Sequence, residues 1–239
     1  MSADGDALPT NEIIEQLLAT DNLPEEIHGV QRKAQEFGGG RMETRLEIWE
    51  RPPVELRKEV VSAKTVRDPN FEVMNIPTDT LGGDSDVLIK NEGGIALYDS
   101  ETNRYHEIEF ETPDDGRGYI GGVTLIGSSP KTDFDVTYDG TDAVAGRETH
   151  VLTFRPTEDA DVPHRGIDFV TLWVDGTYWF PLKREVVHDI REGGLLEPNT
   201  DTDLQDETYF QTEKLEEVEF NTGMEDFRFR LPEDSERVE

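Results

Sequence analysis

Cysteine is absent from the 239 residues, which excludes disulfides, zinc thiolates and thiol nucleophiles. Basic residues are scarce, with 23 Lys plus Arg against 54 Asp plus Glu and a formal net charge of -31. A surface this acidic repels phosphate backbones and anionic bilayers, so nucleic acid is not an expected partner. Long apolar runs are missing as well. None approaches the roughly 20 residues needed to cross a bilayer, and no basic-plus-apolar leader opens the chain, so it is expected to be soluble as it stands. Only 34% of the residues are hydrophobic, and low hydrophobicity with high net charge is also the compositional mark of disorder.

What is present argues against disorder. Val, Ile, Phe, Tyr and Trp gather into short alternating runs separated by Gly, Asn, Asp and Pro, the pattern of strands and turns. The acids are spread along the whole chain, and lysine is rarer than arginine, seven against sixteen. This distribution fits adaptation to molar salt, where the screening length falls to about 3 Å and self-repulsion vanishes. A halophilic source is therefore expected, and the charge reports habitat more than function.

Residues 1 to 10, small and acidic, read as a flexible lead-in, and residues 11 to 239 as a single domain. Ile13, Ile14, Leu17 and Leu18 recur at helical spacing, predicting an amphipathic helix over 11 to 20. A second helix is predicted over Glu25 to Phe37, ending at Gly38, Gly39 and Gly40. The period then changes to two. Met42, Thr44, Leu46 and Ile48 alternate with charged residues up to Arg51, Pro52 and Pro53, and another strand follows from Val54. Residues 64 to 84 have no clear period and read as an insertion or long edge loop. From Asp86 a meander runs to a last short strand in FRFRLP, with Asp-Gly hairpin signals at Asp139 and Asp175. The expected architecture is mainly β with α, a strongly curved antiparallel sheet of about ten strands with an N-terminal helical segment over one face.

In IDFVTLWV large apolar residues occupy both alternating positions, Phe169 and Trp173 on one side and Val170, Leu172 and Val174 on the other. Both faces must therefore be covered, by a helix, another layer or an apolar ligand. The interval GRGYIGGVTLIGSSP, with Tyr119, Ile120, Val123, Leu125 and Ile126, reads either as a buried connection or as a mobile apolar flap over a cavity. Chemistry has no comparable signal. His106 begins HEIE without the second His of a zinc helix, and no serine stands in a nucleophile elbow. The glycines around Gly121 and Gly122 do not form a nucleotide loop. The run containing Asp201, Asp203, Asp206 and Glu207 lacks the turn glycine and bidentate Glu of a calcium loop. No enzyme, no cofactor and no metal are expected.

The order of elements resembles the LolA and LolB lipoprotein carriers and their relatives, among them lipid-binding mycobacterial lipoproteins and the sensor RseB. The resemblance runs from Asn11 to about Val238. It rests on the N-terminal helix, a WxRP-like element at Trp49, Glu50, Arg51 and Pro52, the strand pair LIKNEGGIALYD, the hairpin WVDGTYWFPLKREV and the closing FRFRLPE. It implies an unclosed half-barrel whose helix-capped concave face holds acyl chains, carrying a lipid or a lipidated protein without catalysis. The groove would be lined by Leu46, Ile48, Ile95, Leu97, Phe169, Trp173, Tyr178 and Phe180. The lid would include Tyr119, Ile120, Val123, Leu125 and Ile126, with Arg51 fastening it. An extracytoplasmic location, with tethering through a removed leader and a possible membrane-anchored partner, is implied too. The alternative within the same fold is an RseB-like sensor or protein-interaction module.

Overall fold

The computed structural model describes residues 10–19, 22–37, 40–67, 85–110, 133–158, 166–189 and 208–238. One helix, α1 (Thr10–Leu18), precedes twelve strands: β1 (Ile27–Phe37), β2 (Gly40–Arg51), β3 (Glu55–Arg67), β4 (Val87–Asn91), β5 (Gly94–Asp99), β6 (Arg104–Glu109), β7 (Phe134–Val144), β8 (Arg147–Pro156), β9 (Ile167–Asp175), β10 (Pro181–Asp189), β11 (Thr208–Phe220) and β12 (Glu236–Arg237). They form one open sheet in the order β12-β6-β5-β4-β3-β2-β1-β11-β10-β9-β8-β7. The first strand lies near the middle of the sheet and pairs with β11 as well as β2. The two ends of the chain are thereby tied together in one continuous ladder.

The segment from Glu25 to Phe37, expected to be helical, is strand β1 from Ile27 onward. Its eleven residues pair in unbroken register with β2, from Ile27 opposite Glu50 to Phe37 opposite Gly40. Ladders on both sides satisfy its backbone and override a weak local helix preference. Gly29 marks the constraint, since a Cβ there would stand 2.4 Å from the carbonyl oxygen of Glu217 on β11. Three smaller expectations also change. The chain runs straight through Asp139-Gly140 with a bulge, and the β7–β8 hairpin turns at Ala145 and Gly146, both at positive φ (50° and 74°). FRFRLP is not a strand, because Asp226–Phe229 is a 3-10 turn. The sheet is not wholly antiparallel, because β12 adds to the edge of β6 in parallel.

Residues paired across neighbouring strands share a face. Ile13 and Leu17 of α1 pack with Leu152, Phe154, Val170, Leu172, Val174 and Val186 in the core of the β7–β10 half. The register carries this helix-side face across the sheet: Leu172 aligns with Arg184 and Glu213, and Leu215, two residues on, aligns with Gln31, Leu46 and Val60. On the far side of β2–β6 the C-terminal segment supplies the cover. There Phe229 is buried, Leu231 packs on Val87, Ile89 and Tyr98, and Arg228 lies 5.1 Å from the ring centroid of Trp49.

Candidate functional site

Two adjacent rows of side chains cross the helix-side face of β2–β6. One runs Phe220, Ile27, Glu50, Leu56, Lys90, Ile95, Ile108; the next runs Val218, Gly29, Ile48, Lys58, Leu88, Leu97, His106. Exposure is graded along them. Ile48 and neighbouring Leu46 are 3% and 4% exposed, Ile95 and Leu97 are half-buried, and Ile108 at the edge is 54% exposed. Helix α1 packs over the other half of the same face, against β7–β10. The β2–β6 half is thus a mainly apolar surface, crossed by Lys58 and Lys90, whose outer rim reaches solvent.

The inner end of this surface is polar. Glu50 is 1% exposed, and among the described residues neither of its carboxylate oxygens has a hydrogen-bond partner. Burial pushes its carboxyl from 4.5 up to about 8, against the attraction of Lys58 and Lys90. It borders a cavity of about 10 Å³ together with Gln31, Ile48, Lys58, Phe180, Leu182 and Leu215, among others. The Lys58 ammonium donates to Oε1 of Gln31 at 3.4 Å. Isolated carboxyls are rarely left in this condition, because an unpaired buried polar group costs on the order of 1–3 kcal/mol.

Of the residues expected to line a groove, Leu46, Ile48, Ile95 and Leu97 fall together on this face. Phe180 joins them at the cavity, and Tyr178 lies against Phe220 with ring centroids 4.5 Å apart. Trp173, turned away from the α1 side of β9, belongs with Leu46, Ile48, Phe180, Leu182 and Leu215 to one buried apolar cluster, and Phe169 is not part of that cluster. Trp173 donates from Nε1 to Asp142 at 2.9 Å under the Lys183 ammonium, 3.7 Å from its ring, and Arg155 covers Phe169 at 4.9 Å. The double apolarity of β9 is therefore met by α1 on one face and, on the other, by the apolar cluster around Trp173 together with these cations, whose stems and charges both suit an aromatic ring. Tyr119, Ile120, Val123, Leu125 and Ile126, like Asp201, Asp203, Asp206 and Glu207, lie outside the described residues.

Arg51 fastens the C-terminal segment. Its Nε donates to Glu26 at 3.1 Å, Nη1 to Asp226 at 2.8 Å and Nη2 to the Met224 carbonyl, with Phe229 5.0 Å beneath the guanidinium. The lid residues it was expected to fasten lie outside the described residues. Glu50 itself went unrecognised as a site residue, although Met42, Thr44, Leu46 and Ile48 set a phase that it continues. Among 54 acids, only that phase distinguishes it. Val60 and Leu88 carry the same kind of signal. Gln31, Lys58 and Phe220 join the site through pairings far apart in sequence. Among the described residues no group of three or more His, Asp or Glu could hold a metal ion.

No family model and no curated protein matches the chain. Solved structures do. An uncharacterized conserved protein from Thermus thermophilus is 13% identical, with 95% of this chain and 97% of that one covered, at a TM-score of 0.51. MucB is 10% identical over 97% of this chain, at a TM-score of 0.54, and the present chain spans 66% of its length. The same architecture is found in the Pseudomonas aeruginosa MucA/MucB complex, at 11% identity, 95% of this chain, 62% of that chain and a TM-score of 0.51. The likeness shows that this chain, one open twelve-stranded sheet with an N-terminal helix, shares its fold with MucB and the Thermus thermophilus protein.

Proposed function

We propose that the protein binds, without catalysis, the acyl part of a lipid or lipidated protein on the helix-side face of β2–β6, outside the cytoplasmic membrane. The observation that carries this reading is the set of apolar side chains from buried Leu46 and Ile48 through Leu88, Ile95 and Leu97 to exposed Ile108, interrupted by Lys58 and Lys90, on strands whose other face is already covered by the C-terminal segment. Each methylene removed from water contributes about 0.8 kcal/mol, so burial of about six gives useful affinity with no specific contact. The half-barrel fold shared with MucB supports the reading by analogy, which speaks to architecture before function.

The test is titration with the neutral apolar fluorophore N-phenyl-1-naphthylamine in molar KCl, paired with native mass spectrometry after exposure to oleoyl lipids. Saturable fluorescence enhancement, reversed by an oleoyl ligand, is the expected result. A protein that binds neither fluorophore nor lipid overturns the proposal. A second reading, a module for a protein partner, is favoured by MucB having been solved in complex with MucA. It gains support if the purified chain binds no acyl ligand and instead captures a defined extracytoplasmic peptide.

A further inference from the structure

The most anomalous group among the described residues is the carboxyl of Glu50. It is the residue between Trp49, which faces the C-terminal segment, and Arg51, which anchors that segment, and alternation turns it the other way, into the sheet's helix-side face. Its row neighbours Ile27 and Leu56 are buried and apolar, and both of its oxygens are enclosed, with no partner among the described residues. Among the described residues, the buried acid Asp175 and the partly buried Glu26 are not left so. Asp175, equally enclosed, accepts from Arg147 and from the N–H groups of Thr177 and Tyr178 at 2.9 and 2.8 Å. Glu26 accepts from Gly223, Met224 and Arg51. A cavity of about 10 Å³ opens against Glu50, roughly the space of one water-sized group. Its walls combine Ile48, Phe180, Leu182 and Leu215 with the Gln31 amide and the charged groups of Lys58, Lys183 and Glu213.

We propose that this cavity is a polar subsite at the inner end of the apolar surface, and that it takes a hydroxyl of an otherwise apolar amphiphile, bound to the Glu50 carboxyl. The inference rests on the acyl-binding reading above, and adds to it the class of ligand. The chemistry selects a hydroxyl for three reasons. It has the size of the cavity. It donates to a carboxylate and accepts from a carboxylic acid, so it pairs with Glu50 in either protonation state. A phosphate head, by contrast, is too large for a space of about 10 Å³. Because the mainly apolar rows lead from the rim to this cavity, a chain lying along them brings its polar end to Glu50.

The experiment compares oleoylglycerol with methyl oleate, which has the same chain and ester but no hydroxyl, as competitors of N-phenyl-1-naphthylamine. The wild type, Glu50→Leu and Glu50→Gln are each first shown to unfold cooperatively. Wild type is expected to bind oleoylglycerol about tenfold more tightly than methyl oleate, the worth of one buried hydrogen bond. Glu50→Leu is expected to bring the two ligands within about twofold while still binding the fluorophore, and Glu50→Gln, which keeps the shape and the hydrogen-bonding atoms, to retain part of the preference. Equal binding of the two ligands by wild type means that the cavity holds water only and overturns the subsite. A preference that survives Glu50→Leu overturns it as well. Failure of all three proteins to bind the fluorophore or either oleoyl ligand overturns the acyl-binding reading itself, a result distinct from the other two.

Discussion

Arg51 donates from Nε to Oε1 of Glu26 at 3.1 Å, while the other oxygen of that carboxylate accepts from the backbone of Gly223 and Met224 at 2.7 Å each. One ion pair thus joins the entry to β1, the end of β2 and the chain leaving β11. Burial raises the affinity of Glu26 for a proton, but the bonds from Met224, Arg51 and Gly223 outweigh it and hold the carboxyl below the usual carboxylate range. The Arg51 guanidinium is held above its ordinary range, first by its bond to Asp226.

Arg51→Ala therefore releases the C-terminal segment from the far face of β2–β6. A loss of roughly 2–3 kcal/mol is expected, since several charge-assisted bonds and the Phe229 contact go together. Arg51→Lys restores only part, because an ammonium cannot match the guanidinium fork. Urea unfolding in molar KCl measures both, and a loss below about 0.5 kcal/mol for Arg51→Ala would show the segment held by other contacts.

Glu50 gives the stability a pH dependence of definite sign. Its carboxyl is raised from 4.5 to about 8 by burial. Below about 4.5 it is protonated folded or unfolded, and stability is undiminished. Between 4.5 and about 8 the unfolded chain releases the proton while the folded one keeps it, so stability falls by up to about 1.4 kcal/mol per pH unit. Glu50→Gln removes this slope and leaves Lys58, Lys90, Lys183 and Glu213 in place, so the variant gains on wild type across that same window. Parallel stability profiles for the two proteins within it would refute the assignment.

The two faces of the sheet make opposite predictions for ligand capture. Leu97→Asp places a charge in the apolar row between Leu88 and His106 and is expected to weaken fluorophore binding by about tenfold or more, the cost of setting a charge against an apolar ligand. Phe169→Asp, on the cation-covered face, leaves binding within about twofold of wild type, as expected for a side chain outside the site. The reverse order of effects would put the ligand on the other face.

Asp175 organises the β9–β10 turn that delivers Tyr178 and Phe180. Asp175→Ala strips the partners from Arg147 and from two turn N–H groups, and a loss of about 3–5 kcal/mol is expected for breaking a buried pair of this kind. Thermal unfolding checks it, and an unchanged midpoint would mean that the turn holds its shape without the carboxylate.

Local pattern was enough for the helix α1 and for most strands, because their apolar residues recur at periods of 3.6 or two whatever surrounds them. It gave the alternation within each strand, but Leu46 and Ile48 share a face with Ile95 and Leu97 only through the pairings of β2 to β5. It failed at β1, whose strand state comes from pairing with β11, far away in sequence. It does not separate Trp173, which packs with Leu46, Ile48 and Phe180, from Phe169, which lies under Arg155, because alternation puts both on one face of β9 without saying what each meets there.

The amino-acid sequence by itself determined the acidity, the absence of thiol chemistry, the predominance of strands and the alternation within each one, since all of these follow from composition and local period. Only the tertiary structure decided which alternating faces combine, how the C-terminal segment is bound by Arg51, and that Glu50 stands enclosed among apolar neighbours. The physical reason is that register between distant strands selects a face, and burial, which that face alone confers, turns one carboxylate among 54 into a chemically distinct group.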